Sequence, residues 1–174
     1  MQNNTSRPLA IGLTTLGILA RLVPHAPNFS PVGGVSLFAG GRISGWKAYL
    51  LPLVLMLVTD PFVGGYSFST PFVYASFLIY VWIGSRLRAT ESPLAIGGAA
   101  VAGSVQFFLI TNFAMWVKPV SLYTHNAAGL MACYVAAIPY YGRTLLADLF
   151  YSAALYGAFA LLSRRAAVQS QPAA

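Results

Sequence analysis

Three acids against ten lysines and arginines are all the carboxylates this 174-residue chain offers, so each acid stands out. Asp148 falls inside an apolar run, shortly after Arg143. A carboxylate there either pairs with a base, Arg143 or Arg21, and fixes packing, or it contacts a ligand or carries a cation or proton. Asp60 precedes Pro61 at the end of another apolar run. That position suits a turn or the capping of nearby backbone N–H groups, and equally an acid–base role. Arg21, Lys118 and Arg143 would anchor a carboxylate or phosphate if two of them converged. Snorkelling to lipid headgroups is the other reading and the better one for Lys118, while Arg21, beside a proline-rich stretch, stays open between the two.

His25, His125 and Cys133, with Asp60 as a fourth donor, form a conceivable metal set, but no two have the i, i+3 or i, i+4 spacing of a ligand pair. Histidines in turns and a thiol packed among Ala128, Gly129, Ala132 and Ala136 are the plainer reading. Asn28, Gln106 and Asn112 are neutral hydrogen-bonders near or within apolar segments. Asn112 is the foremost candidate for ligand contact, with bonding between helices as its alternative. Phe29, Tyr66, Phe68, Trp116, Tyr123, Tyr134, Tyr140 and Tyr141 supply aromatic rings that belong either to an interfacial belt or to the walls of a pocket.

Several signatures do not occur. There is no Gly-rich phosphate loop ending in Lys-Ser/Thr, so nothing in the chain would hydrolyse ATP. There is no Gly-x-Ser-x-Gly, no His-Glu-x-x-His and no spacing that marks a nucleophile with its base. No cofactor is implied, and no catalytic set is assigned.

The elements that must position these residues are apolar. The composition is 57% hydrophobic and 7% charged, where soluble domains carry about 25% charged residues, and the mean hydropathy is +0.69. The apolar runs are continuous rather than alternating, which selects helices over a membrane barrel. The spacing predicts helices over 8–23, 32–43, 46–59, 71–87 and 93–116, then two apolar stretches, 127–141 and 143–163. Three prolines keep 24–31 out of any helix, and the third helix is expected to stop at Asp60-Pro61. No small-x-small cleavage site follows the first apolar run, which reads as a retained helix rather than a signal peptide. The expected fold is a single all-α transmembrane domain over 1–165 with a disordered tail over 166–174.

The net charge of +7 is scattered singly and in pairs at the ends of apolar runs. This is how topology-setting charges are distributed, and no basic stripe remains for a nucleic acid. Placing Arg7, Arg42/Lys47, Arg86/Arg88 and Arg164/Arg165 on the cytoplasmic side gives about six crossings with both termini inside. That requires 127–141 to dip into the membrane or lie at its outer surface. The irregular segments 24–31, 60–70 and 117–126 then all lie outside, where backbone of this kind is tolerated if it lines a cavity.

Pro24-His25-Ala26-Pro27-Asn28-Phe29-Ser30-Pro31-Val32-Gly33, Thr111-Asn112-Phe113 with Trp116, Cys133-Tyr134 and Ala137-Ile138-Pro139-Tyr140 resemble a bacterial family of small integral membrane proteins with no established function. The chain departs from that pattern at Thr59-Asp60 (Ser-Asp), at Ala147-Asp148 (Gly-Asp) and at Tyr123-Thr124-His125 (Tyr-Pro). The architecture is also similar to the substrate-binding S components of energy-coupling-factor transporters. That resemblance implies capture of a vitamin-like or metal-containing molecule from outside and docking on an ATP-driven module.

The leading expectation is therefore a substrate-binding subunit in the bacterial inner membrane. It would hold a small water-soluble ligand with Asn112, Asn28, Trp116, Arg21, Tyr123, Gln106, Asp148, Phe29 and His25. A small intramembrane enzyme using Asp60, His25, His125 or Asp148 is the alternative from another class, and a structural subunit without a ligand is the third.

Overall fold

The computed structural model describes residues 6–88 and 90–169. Among them are six α-helices and no strand: α1 (Ser6–Leu19), α2 (Val32–Arg42), α3 (Lys47–Val63), α4 (Thr70–Ser85), α5 (Pro93–Val117) and α6 (Ala127–Gln169), with a short 3-10 turn, Ala20–Leu22, after α1. Two of them, α5 and α6, are long and apolar enough to cross a membrane.

The organising element is the shortest helix. Every residue of α2 from Val32 to Gly41 is buried, and the other five helices pack around it. Its glycines make this possible. A methyl group on Gly40 would collide with the carbonyl of Val81, and one on Gly84 with the carbonyl of Leu37. The α2–α4 crossing is therefore a backbone-to-backbone approach that only small residues permit. Phe38 fills the space beside it, edge-on to Tyr156 and Phe159 at 5.3 and 5.7 Å.

Opposite ends of the bundle differ in chemistry. At one end the backbone is closed by cations. Arg42 donates to the carbonyls of Gly41, Leu87 and Thr90, Arg88 reaches those of Gly40 and Ile43, and Arg164 faces Glu91. The other end carries the proline loop and the segments that join α3 to α4 and α5 to α6. Large apolar side chains remain exposed around the outside, among them Leu16, Leu57, Phe150 and Leu161, each more than half exposed.

Two boundaries correct the sequence expectation. Helix α3 does not stop at Asp60-Pro61 but runs on to Val63. The carbonyl of Asp60 accepts the N–H groups of Gly64 and Gly65 at 3.1 and 2.7 Å, and Gly65 takes φ +72°. The glycine pair thus closes the helix one turn beyond the proline. The stretches 127–141 and 143–163 are one helix of 43 residues, about 65 Å long at 1.5 Å per residue. Neither Pro139 nor Gly142 breaks it, because its first half is tied along α5. The Tyr134 hydroxyl donates to the carbonyl of Leu109 at 2.8 Å, and the Tyr141 and Phe108 rings lie 5.1 Å apart. The helix also passes Arg164 and Arg165 to Gln169. The rest of the expected tail, 170–174, lies outside the described residues.

Candidate functional site

Two adjoining cavities lie between the proline loop, α4, α5 and α6. The narrower, about 100 Å³, is bounded by Ser30, Gly33, Phe77, Tyr80 and Asp148. The wider, about 370 Å³, runs along Phe108, Thr111, Asn112, Tyr140 and Tyr141. Asn28, Phe107 and Thr144 border both, so the two form one cleft. Its wider part is within the range of small-molecule pockets.

One face of α6 supplies much of this wall. Ala137, Tyr140, Tyr141, Thr144 and Asp148 recur at three- and four-residue intervals, which stacks them on a single side of a helix. The facing wall on α5 is Phe107, Phe108, Thr111 and Asn112. The proline loop forms the third wall through Asn28, which adopts φ +63°, a left-handed conformation that asparagine tolerates better than other non-glycine residues. Phe29 pins this loop to α6, its ring 6.0 Å from Phe150 and 5.7 Å from Tyr151. Phe29 thereby positions Asn28 and is not itself among the lining residues.

The polar groups of the cleft are incompletely answered by protein. Asn112 donates Nδ2 to the carbonyl of Phe108, one turn back, at 2.8 Å. Its Oδ1, like the whole side-chain amide of Asn28, has no hydrogen-bond partner among the described residues. Thr144 makes only a long bond, 3.5 Å, to the carbonyl of Tyr140. At the inner limit Asp148, 2% exposed, accepts a hydrogen bond from the Tyr80 hydroxyl. A methyl group on Gly33 would collide with the other carboxylate oxygen, so the glycine is what lets the α2 backbone lie against Asp148.

The structure thus brings Asn28, Asn112 and Asp148 together and sends the other residues singled out from sequence elsewhere. Arg21 is bound to Asp60 at 2.7 Å and to the Thr59 hydroxyl at 3.1 Å, and Tyr74 donates to the second Asp60 oxygen at 2.5 Å. Asp148 therefore pairs with neither Arg21 nor Arg143, contrary to one of the two expectations for it. The Asp60 side chain answers a base and a phenol rather than capping a helix. Gln106 ties α5 to α4 through the carbonyl of Ser76 at 3.2 Å. Trp116 donates to the carbonyl of Thr124 at 2.9 Å and meets the His125 ring edge-on, which holds the α5–α6 segment. Tyr123 is half-buried in that segment, its N–H bonded to the Ser121 hydroxyl. The exposed His25 contacts the carbonyl of Val23 at 2.9 Å. Among the described residues no three His, Cys, Asp or Glu side chains gather where a metal ion would be held.

Sequence reasoning missed Tyr80, Thr144 and Phe107. Tyr80 carried one usable signal, because a phenol in the middle of an apolar helix requires a hydrogen-bond partner when buried. Thr144 lies one turn before Asp148, but a break placed at 141–143 hid the stripe that joins it to Tyr140 and Tyr141.

A larger cavity, about 560 Å³, opens at the cationic end between α5 and α6. Its charged groups are already engaged: Arg42 with three carbonyls and the face of Tyr156 at 4.7 Å, and Glu91 with Arg164. Only Ser152 offers a buried hydroxyl without a partner there.

Fold and cleft together define an all-helical bundle, with two helices fit to span a bilayer, that holds a partly polar cleft at its loop end. The chain belongs to a family of unknown function, DUF6580, whose model matches residues 1–172. No curated protein and no solved structure matches it.

Proposed function

We propose that this chain is a membrane-embedded capture subunit of a transporter, which takes a small water-soluble molecule from outside into the Asn28–Asn112–Asp148 cleft. The observation that carries the reading is the cleft itself. It lies at the loop end, is large enough for a small ligand, and presents the Asn28 amide and the Asn112 Oδ1, which no group among the described residues answers. Asn28 and Asn112 orient the ligand, Phe108, Tyr140 and Tyr141 wall it, and Asp148 limits the depth of entry.

Three features support the membrane placement. The exposed apolar belt exceeds what a soluble surface tolerates. Most of the cations, Arg42, Lys47, Arg86, Arg88, Arg164 and Arg165 among them, gather at the end opposite the proline loop, which suits a cytoplasmic face in a bacterial inner membrane, with six crossings and both termini inside. Helix α2, at 11 residues, spans about 16 Å, roughly half the hydrocarbon thickness. The proline loop therefore descends to membrane depth, where irregular backbone is stable if it lines a cavity. With no nucleotide-binding motif of its own, the subunit depends on an ATP-driven partner for transport. The enzyme alternative needs two of Asp60, His25, His125 and Asp148 in contact, and no hydrogen bond or ion pair joins any two of them.

Native mass spectrometry on gently extracted protein tests the reading directly. A small molecule released on unfolding, and diminished in Asn112→Ala, supports capture; a bare polypeptide under all extraction conditions favours a structural subunit. Cysteine labelling tests the orientation, since Cys133 is buried and gives little background. Val120→Cys should react with an impermeant reagent on intact cells, and Arg86→Cys should not.

A further inference from the structure

The two inner carboxylates differ in one respect that bears on the ligand. Asp60 is matched by Arg21. Asp148 is more deeply buried than Asp60 yet forms no ion pair among the described residues, and its single side-chain partner is the neutral hydroxyl of Tyr80. No lysine or arginine lines either part of the cleft. The walls are instead aromatic: Phe77, Tyr80 and Phe107 around the narrow part, Phe108, Tyr140 and Tyr141 around the wide one. Phe77 and Phe107 lie 5.2 Å apart and Phe108 and Tyr141 5.1 Å apart, each pair tilted.

A buried carboxylate is stable when a cation and hydrogen-bond donors answer it. Aromatic faces attract cations through their quadrupoles and offer nothing comparable to an anion. Both features select the same charge sign.

We propose that the captured molecule is a small organic cation, a protonated alkylamine that carries an apolar or aromatic group. Its positive group sits against Asp148 in the narrow cavity that Tyr80 and Phe107 help to line, and its neutral remainder lies in the wide cavity beside Asn112. This assignment rests on the capture reading above and adds the charge of the ligand. Tyr80 holds one oxygen of Asp148 in place, and the α2 backbone at Gly33 packs against the other.

The test uses the full chain in phosphatidylcholine nanodiscs, with protein-free nanodiscs as the reference for partitioning. Three probes of matched size are compared at neutral pH by saturation-transfer NMR and calorimetry: benzylammonium, benzyl alcohol and benzoate. Benzylammonium is expected to bind about tenfold or more tightly than benzyl alcohol, as befits a charge-assisted hydrogen bond, and benzoate the most weakly. In Asp148→Asn the ratio of benzylammonium to benzyl alcohol affinity should fall to about one. Should that variant fail to fold, the ranking on the unaltered chain decides alone. Benzyl alcohol or benzoate matching benzylammonium overturns the cation assignment and leaves capture standing. Failure of all three probes to bind above the nanodisc reference overturns capture, and this inference with it.

Discussion

Asp60 and Asp148 are two buried acids in one small bundle, held in opposite ways. Asp60 closes a network within the fold: Arg21 follows α1, Thr59 shares Asp60's own helix, and Tyr74 stands on α4. Every charge there is answered by another part of the chain, so the network ties three elements together at the loop end. Asp148 borders a cavity and receives a single side-chain hydrogen bond among the described residues, from a neutral hydroxyl. The difference separates structure from function by a physical criterion. A polar group whose partners are all internal specifies packing, whereas one left incomplete beside a cavity is where a ligand has something to contribute.

The largest effect should come from breaking the closed network. Arg21→Met strands Asp60 as an uncompensated buried charge, and we expect a loss of about 3–5 kcal/mol in denaturant unfolding. Adding Asp60→Leu on that background should recover most of the loss, because removing both charges removes the desolvation cost with them. A loss near zero for Arg21→Met would mean water screens the pair, and the contrast between the acids would collapse. Next is Tyr80→Phe, which removes the one side-chain donor to Asp148 among the described residues and should cost about 1.5–3 kcal/mol. Tyr74→Phe should cost less, about 0.5–1.5 kcal/mol, since Asp60 retains Arg21. The reverse order would show that Asp60, not Asp148, relies on its phenol. Neutralising the acids sharpens the contrast by sign. Asp60→Asn leaves Arg21 without its counter-charge and destabilises, whereas Asp148→Asn keeps an acceptor for Tyr80 and strands no counter-ion, and should leave the midpoint unchanged or raise it.

Much of this arrangement was legible in the sequence. Apolar runs bounded by prolines and charges placed five helices within a few residues of their ends, because the hydrophobic pattern and the loss of a backbone donor at proline act locally. Asn28, Asn112 and Asp148 were recognisable as polar residues with little to satisfy them nearby in the chain. The rest depended on tertiary contacts. Arg21 and Asp60 are 39 residues apart, and nothing in their spacing announces the pair. Tyr80 and Asp148 are 68 apart. The continuity of α6 through Pro139 and Gly142 is decided by packing on α5, which overrides the local preference for a break. Phe29 and Trp116 were expected at a ligand and instead hold the loops that frame the cleft, because an aromatic ring looks the same in sequence whether it packs on a partner or on a substrate.

The smallest stability effect belongs to Asn112, and it discriminates between the proposed roles. Its Nδ2 returns to the carbonyl of Phe108 in its own helix at 2.8 Å, a carbonyl already bonded within the helix ladder, so Asn112→Ala should shift unfolding by no more than about 0.5 kcal/mol. Asn112 lines the wide cavity, and its Oδ1 is the acceptor left for a ligand's donor. Removing a hydrogen bond made only to the ligand should weaken binding about tenfold without moving the midpoint. If the midpoint falls by 2 kcal/mol or more, on the order of a lost buried network, then Asn112 belongs with Asp60 among the groups that hold the bundle. The cleft would in that case have lost one of the two amides that define it.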